Sequence, residues 1–172
     1  TATRTPTRTA TSTAVATPFV QRVNCGGVTY TDTQGNLWAT DKVYQAGSWG
    51  YTGGTAKSTT KAVAGTNDDL LYRKWRDNPG EYRFTVPNGV YQVTLRFAEF
   101  EVTKAGDRVM YINMESIVYE NSLSIYALVG KDTALERVYQ VTVNDGLLNI
   151  VFAKNGGKKN PVVSGIAVSK QS

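Results

Sequence analysis

Histidine is absent from the chain, and with it go most imidazole-ligated metal sites and the Ser-His-Asp and Cys-His mechanisms. Cysteine occurs once, at Cys25, so no disulfide can close within the chain. A nucleophilic thiol needs an activating base, so this residue, followed by two glycines, reads as a small buried hydrophobe. The lack of disulfides does not exclude export, because a domain of this size is stable on its core alone. No apolar run approaches a membrane span, and no charged-then-apolar signal segment is present. The net charge of +5 does not come from a basic stripe. Arg4 and Arg8 lie in the first eighteen residues and the other cations are scattered, so neither nucleic acid nor membrane is an expected partner.

What the chain does have begins with threonine at every odd position from 1 to 13. The alternate positions hold Ala2, Arg4, Pro6, Arg8, Ala10 and Ser12, so a strand built from them would have no face to bury. Residues 1–18 therefore read as a Thr/Pro-rich linker, solvated and locally stiffened toward the polyproline conformation. Residues 19–172 read as one domain. Hydrophobic residues make up 41% of the chain and charged residues 19%, enough for a single substantial core.

Alternation with period two is clearest in "EYRFTVPNGVYQVTLRFAEFEV". Tyr82, Phe84 and Val86 alternate with polar residues, "PNG" supplies turn chemistry, and Tyr91, Val93, Leu95 and Phe97 alternate again. The pattern predicts a hairpin. A second hairpin is predicted over "LERVYQVTVNDGLLNIVFAK", closed by Asn144-Asp145-Gly146. "RVMYIN" and "SIVYEN" read as short strands, and "PVVSGIAVSK" as a last strand beginning at Pro161. No segment of twelve residues or more has helical periodicity, which implies an antiparallel sandwich or barrel. The stretch 25–80 carries weaker periodicity and many glycines and aromatics. It reads as long loops at one end of the scaffold, where binding residues gather.

Three motifs fail on inspection. "GYTGGTAKST" lacks the glycine immediately before its lysine that a phosphate loop requires. Glu99 and Glu101 would lie about 6.6 Å apart on one strand face, within the range of glycosidase carboxylates. No third supporting group accompanies them, and Glu99, ending a buried arm, is expected to hold loop backbone instead. Asp32, Asp41, Asp68 and Asp69 lack the spacing of a calcium loop and read as capping residues. No cofactor is expected, a structural calcium ion being the one metal left open.

In order along the chain, "RVNCGGVTYTDTQGNLWATD", "DDLLYRKWR", "YRFTVPNGVYQVTLRFAE", "GDRVMYINMES" and "KNPVVSGIAVSK" resemble the malectin domain over residues 20–170. The resemblance implies an all-β, antiparallel two-sheet jelly-roll β-sandwich, galactose-binding-domain-like, that binds carbohydrate without cleaving it. With the linker, it implies a monomeric, extracellular module covalently joined to a catalytic module. Such a module would target a glycoside hydrolase to an oligo- or polysaccharide such as a glucan or plant cell-wall glycan. A structural or protein-interaction spacer that has lost lectin activity is the alternative.

In the family's animal lectin the sugar site combines loop aromatics with an aspartate before the terminal Asn-Pro. Carried over position by position, one aromatic falls on Trp49 of "GSWG". A second falls on Asp77, with Trp75 two residues earlier as a substitute. The aromatic pair after "FAE" falls on Glu101 and Val102, and the aspartate on Lys159; both are departures. The candidate platforms are therefore Trp49, Tyr51 and Trp75. Arg76, Asp77, Glu101, Lys159 and Asn160 are the candidate hydrogen-bonding rim around a pyranose.

Overall fold

The computed structural model describes residues 18–172; the predicted linker, Pro18 apart, lies outside them. Strands dominate, in three sheets. The first runs in the order β11 (Ala134–Val143), β8 (Gly89–Ala98), β14 (Gly165–Lys170), β1 (Val20–Asn24), β3 (Leu37–Thr40) and β2 (Tyr30–Thr31). The second runs β10 (Ile117–Leu123), β9 (Arg108–Met114), β12 (Leu147–Gly157), β7 (Glu81–Thr85) and β4 (Trp49–Tyr51). A third, smaller sheet joins β13 (Val162–Val163), β6 (Lys74–Asp77) and β5 (Thr55–Ser58). Two short helices complete the elements, α1 (Asp69–Tyr72) and α2 (Ile125–Val129). The pairing is antiparallel except between β1 and β3.

The two large sheets share one core. Tyr91, Val93, Leu95 and Phe97 of β8 and Ile166 and Val168 of β14 point into it from one side. Tyr82 and Phe84 of β7, Met110, Ile112 and Met114 of β9, and Leu148 and Ile150 of β12 point into it from the other. Each set follows period two, as expected of strands with one buried face.

Neither predicted hairpin forms. β7 pairs with β12 and β4 in the second sheet, whereas β8 pairs with β11 and β14 in the first. β11 and β12 are likewise divided between the sheets. The "PNG" and "NDG" turns are crossovers from one sheet to the other, and they bond to each other rather than closing strands beside them. The amide of Val86 donates to the Gly146 carbonyl at 3.0 Å, and Asn88 Nδ2 to the Asn144 carbonyl at 2.8 Å. The physical reason is that a period-two apolar face meets the same core whether the chain folds back within a sheet or arches over to the facing one.

Hairpins form elsewhere: a short one joins β2 to β3, with Tyr30 opposite Trp38, and a tight one joins β9 to β10, with Met114 opposite Ile117. The two loop residues of the tight hairpin, Glu115 and Ser116, both have positive φ, 50° and 64°. This is the left-handed geometry of a two-residue hairpin turn, without the usual Asn-Gly signal. The last predicted strand is broken at Ser164 into β13 and β14, which belong to different sheets. The stretch predicted as loops holds β2 to β6 and α1, whose strands are too short to show periodicity.

Cys25 is fully buried just after β1, as expected of a small hydrophobe. Gly26 beside it has φ +72°, and a Cβ there would stand 2.3 Å from the Trp75 carbonyl oxygen. Glycine is the residue that lets the first sheet approach the third so closely.

Candidate carbohydrate site

Two structural groups emerge among the candidate residues, and the division follows strand alternation. On the third sheet, Lys57 lies opposite Trp75 and Thr55 opposite Asp77, so Lys57, Trp75 and Asp77 share one face and Arg76 takes the other.

The first group is a network of charges where the chain leaves β8. Glu99 has 1% of its surface exposed and accepts from the backbone amides of Glu101 (2.9 Å) and Val102 (3.2 Å). Its other oxygen accepts from Arg108 Nε at 2.8 Å. It thus holds loop backbone, as expected from the sequence. Arg108 is also buried and reaches on to Glu101 (2.7 Å) and to the Asn160 carbonyl. Lys57 bridges Glu101 (3.0 Å) and Asp77 (3.5 Å), and Asn160 Nδ2 donates to Asp77 at 3.2 Å. Lys159, half-exposed, stands 4.0 Å from Glu101. Four candidates, Asp77, Glu101, Lys159 and Asn160, are therefore brought together.

The network fixes protonation. Burial pushes the Glu101 carboxyl up, but hydrogen bonds and charge from Arg108 and Lys57 outweigh it and hold the group below its ordinary value. Burial alone would lower Lys57; Glu101 and Asp77 reverse this and raise it. At neutral pH the carboxylate and the ammonium are both charged. Glu99 has its oxygens filled by an arginine and two amides, and Glu101 is held as an anion. Glu101 is therefore not disposed as the protonated acid that glycoside hydrolysis requires.

The second group packs inward. Arg76 has 5% of its surface exposed, pairs with Asp41 at 2.7 Å and donates to the Gly54 carbonyl at 3.0 Å. Its guanidinium carbon lies 3.2 Å from the centroid of the Tyr51 ring, and Tyr82 meets that ring edge-on at 6.2 Å. Arg76 is thus a buried tie rather than part of an open rim, and Tyr51 has one face covered. Trp49 is half-buried, stacked on Phe84 at 6.4 Å, with the Lys42 ammonium 4.5 Å from its ring centroid.

Trp75 does not offer an open platform. Phe100 stacks on it at 5.1 Å and 30°, leaving 6% of it exposed. Phe100 stands directly before the Glu101 and Val102 amides that Glu99 holds, in the loop that lies over the indole. Trp38 is buried too, its indole N–H donating to Asp32 at 2.9 Å.

Sequence reasoning missed Lys57 and Arg108, and it read Asp41 as a capping residue rather than as the partner of Arg76. Arg108 carried a signal: it stands in phase with the inward residues Met110, Ile112 and Met114, and a buried arginine requires a carboxylate. Lys57 carried none, since its role depends on the register of β5 against β6.

The malectin domain pattern matches residues 19–168. The chain belongs to the malectin family. Malectin from Danio rerio is 25% identical over 144 residues, which are 80% of this chain and 48% of that protein. The chain thus spans about half the length of the curated relatives it matches. A Bacteroides uniformis beta-glucuronidase contains a region of the same fold, with a TM-score of 0.83 and 28% identity. That match covers 90% of this chain and 18% of the enzyme. The plant receptor-like kinase FER shares the fold at a TM-score of 0.73 and 20% identity, covering 88% of this chain and 49% of that one. The malectin domain is a carbohydrate-binding rather than a catalytic domain.

Proposed function

We propose that this chain is a secreted, non-catalytic carbohydrate-binding module with a jelly-roll topology. It targets an attached glycoside hydrolase to polysaccharide, a glucan or plant cell-wall glycan. Residues 1–18 serve as the tether, raising the local concentration of enzyme on its substrate without chemistry of their own.

The observation that carries this reading is the convergence of Asp77, Glu101, Lys159, Asn160 and Lys57 at one solvent-facing edge. A sugar presents adjacent hydroxyls that both donate and accept. A carboxylate has about four acceptor positions, and those of Glu101 not taken by Arg108 and Lys57 are left for hydroxyl donors. The Lys159 ammonium and the Asn160 amide supply donors for the sugar's oxygens. Because the ion pairs already hold these groups in place, little side-chain freedom is lost on binding.

Affinity electrophoresis and calorimetry against soluble β-glucan, xyloglucan, xylan, mannan and α-glucan test the reading. Retention on at least one is expected. The double variant Glu101→Gln/Lys159→Ala is expected to weaken that binding about 10- to 100-fold, the worth of one or two charge-assisted hydrogen bonds. Absence of retention on every glycan would overturn the proposal. It would favour a spacer module, the reading supported by the covering of Trp75 by Phe100 and of Tyr51 by Arg76.

A further inference from the structure

On the outward face of the first sheet lies a groove of about 230 Å³, on strands separate from the charged edge described above. Its floor follows from the ladder. Arg22 of β1 lies opposite Ala167 of β14, and Ala167 opposite Thr94 of β8, so small side chains occupy the middle of the row. The next row sets Val20 against Ser169 and Ser169 against Gln92. Larger groups wall the depression: Trp38 under the Arg96 guanidinium at one end, and the turn bearing Gln34 and Asn36 along one side.

The charges lining the groove are unequal in availability. Asp32 is saturated, accepting from the amides of Gln34 (3.0 Å) and Asn36 (2.8 Å), from Asn36 Nδ2 (3.1 Å) and from the Trp38 indole (2.9 Å). Arg96 is paired with Glu136 at 2.9 Å. Arg22 makes no ion pair with any described residue, yet it stands half-buried beside the smallest side chains of the floor. A guanidinium so placed offers a planar fork of donors matched to a carboxylate. Gln34 and Gln92 flank it with amides that both donate and accept, and Ser169 and Thr94 add hydroxyls.

The geometry points to a second binding site on this face, taking a carboxylate-bearing saccharide of the uronate class. Arg22 grips the carboxylate and the amides engage ring hydroxyls. Pockets for drug-sized ligands run to roughly 300–1,000 Å³, so this volume suits a single acidic ring within a longer chain. Arg22 determines the preference for acid over neutral sugar, because every other charge lining the groove is already partnered. The inference is independent of the proposal for the Glu101 edge.

The full chain titrated with tetragalacturonate, its methyl ester and a neutral β-linked glucose tetrasaccharide, followed by amide resonances and calorimetry, tests it. The acid is expected to shift the amides of Arg22, Thr94, Ala167 and Ser169. Esterification, which keeps the skeleton and removes the charge, is expected to weaken binding at least about fivefold. Arg22→Gln is expected to lose at least as much, and Gln92→Ala a smaller amount. The inference fails if the acid shifts no resonance on this face, or if ester and acid bind equally. It fails equally if Arg22→Gln and Gln92→Ala, both folded by their amide spectra, bind as the parent does.

Discussion

At the scale of single residues, the loop leaving β8 is governed by one buried carboxylate. Glu99 holds two backbone amides and Arg108 while almost wholly removed from water. Breaking a buried ion pair by removing one partner leaves the other charge uncompensated, at a cost of roughly 3–5 kcal/mol. Glu99→Gln should lower unfolding free energy by about that amount in a urea titration; a loss under about 1 kcal/mol would mean that solvent reaches the pair. Glu101, on the same loop, adds a pH dependence. Its folded value lies below its ordinary one, so its stabilisation is fully present above the ordinary value and is lost as pH falls through the lowered one. Urea midpoints followed from neutral pH into the acid range should fall less steeply in Glu101→Gln than in the parent. Glu99 was legible from sequence because a carboxylate that ends a buried arm must find donors. The burial of Trp75 was not, since it depends on how Phe100 turns, and nothing in the order "KWRD" or "AEFE" fixes that.

Among the elements, the strands themselves were legible and their partners were not. Tyr82, Phe84 and Val86, and then Tyr91 to Phe97, announce two arms with one apolar face each, and both arms form. Alternation reports only that a face is buried. The choice between an in-sheet hairpin and a crossover is made by which strands remain to be paired, and that is information from distant sequence. The short strand β4 shows a different dependence on context. Gly50 sits between Trp49 and Tyr51 with φ +155°, and a Cβ built there would meet the Lys42 carbonyl oxygen and the Tyr44 amide nitrogen, both at 2.5 Å. This close approach lets the segment before β4 lie against it, with the Tyr44 and Tyr51 amides bonded to the carbonyls of Tyr51 and Lys42. Gly50→Ala should therefore cost more than the roughly 1 kcal/mol of an ordinary glycine replacement. It should also displace the Trp49 ring, read as a shift in tryptophan fluorescence. An unchanged midpoint and spectrum would show that the segment before β4 yields freely.

For the molecule as a whole, one carboxylate ties the three sheets together. Asp41 accepts from the Gly26 amide just after β1, from Arg76 of β6 at 2.7 Å and from the Tyr82 hydroxyl of β7 at 3.0 Å. Gly26 directly follows the first sheet's β1, whereas Arg76 lies in the third sheet and Tyr82 in the second. Cys25 lies beside this junction with none of its surface exposed, and burial, reinforced by the charge of Asp41, pushes its thiol well above the ordinary value. A thiol that is inaccessible and protonated reacts only when the sheets part. Alkylation of Cys25 should therefore proceed at a rate set by the population of the opened form, and rise with urea in parallel with global unfolding. Asp41→Asn removes the anion but leaves Arg76 buried, so it should accelerate labelling by the factor by which it destabilises the fold, about 100-fold or more for a buried pair worth roughly 3 kcal/mol. Rapid alkylation of the parent in native buffer would instead mean that the junction opens locally. The sheets would then be joined by their shared apolar core alone, without Asp41 as the tie.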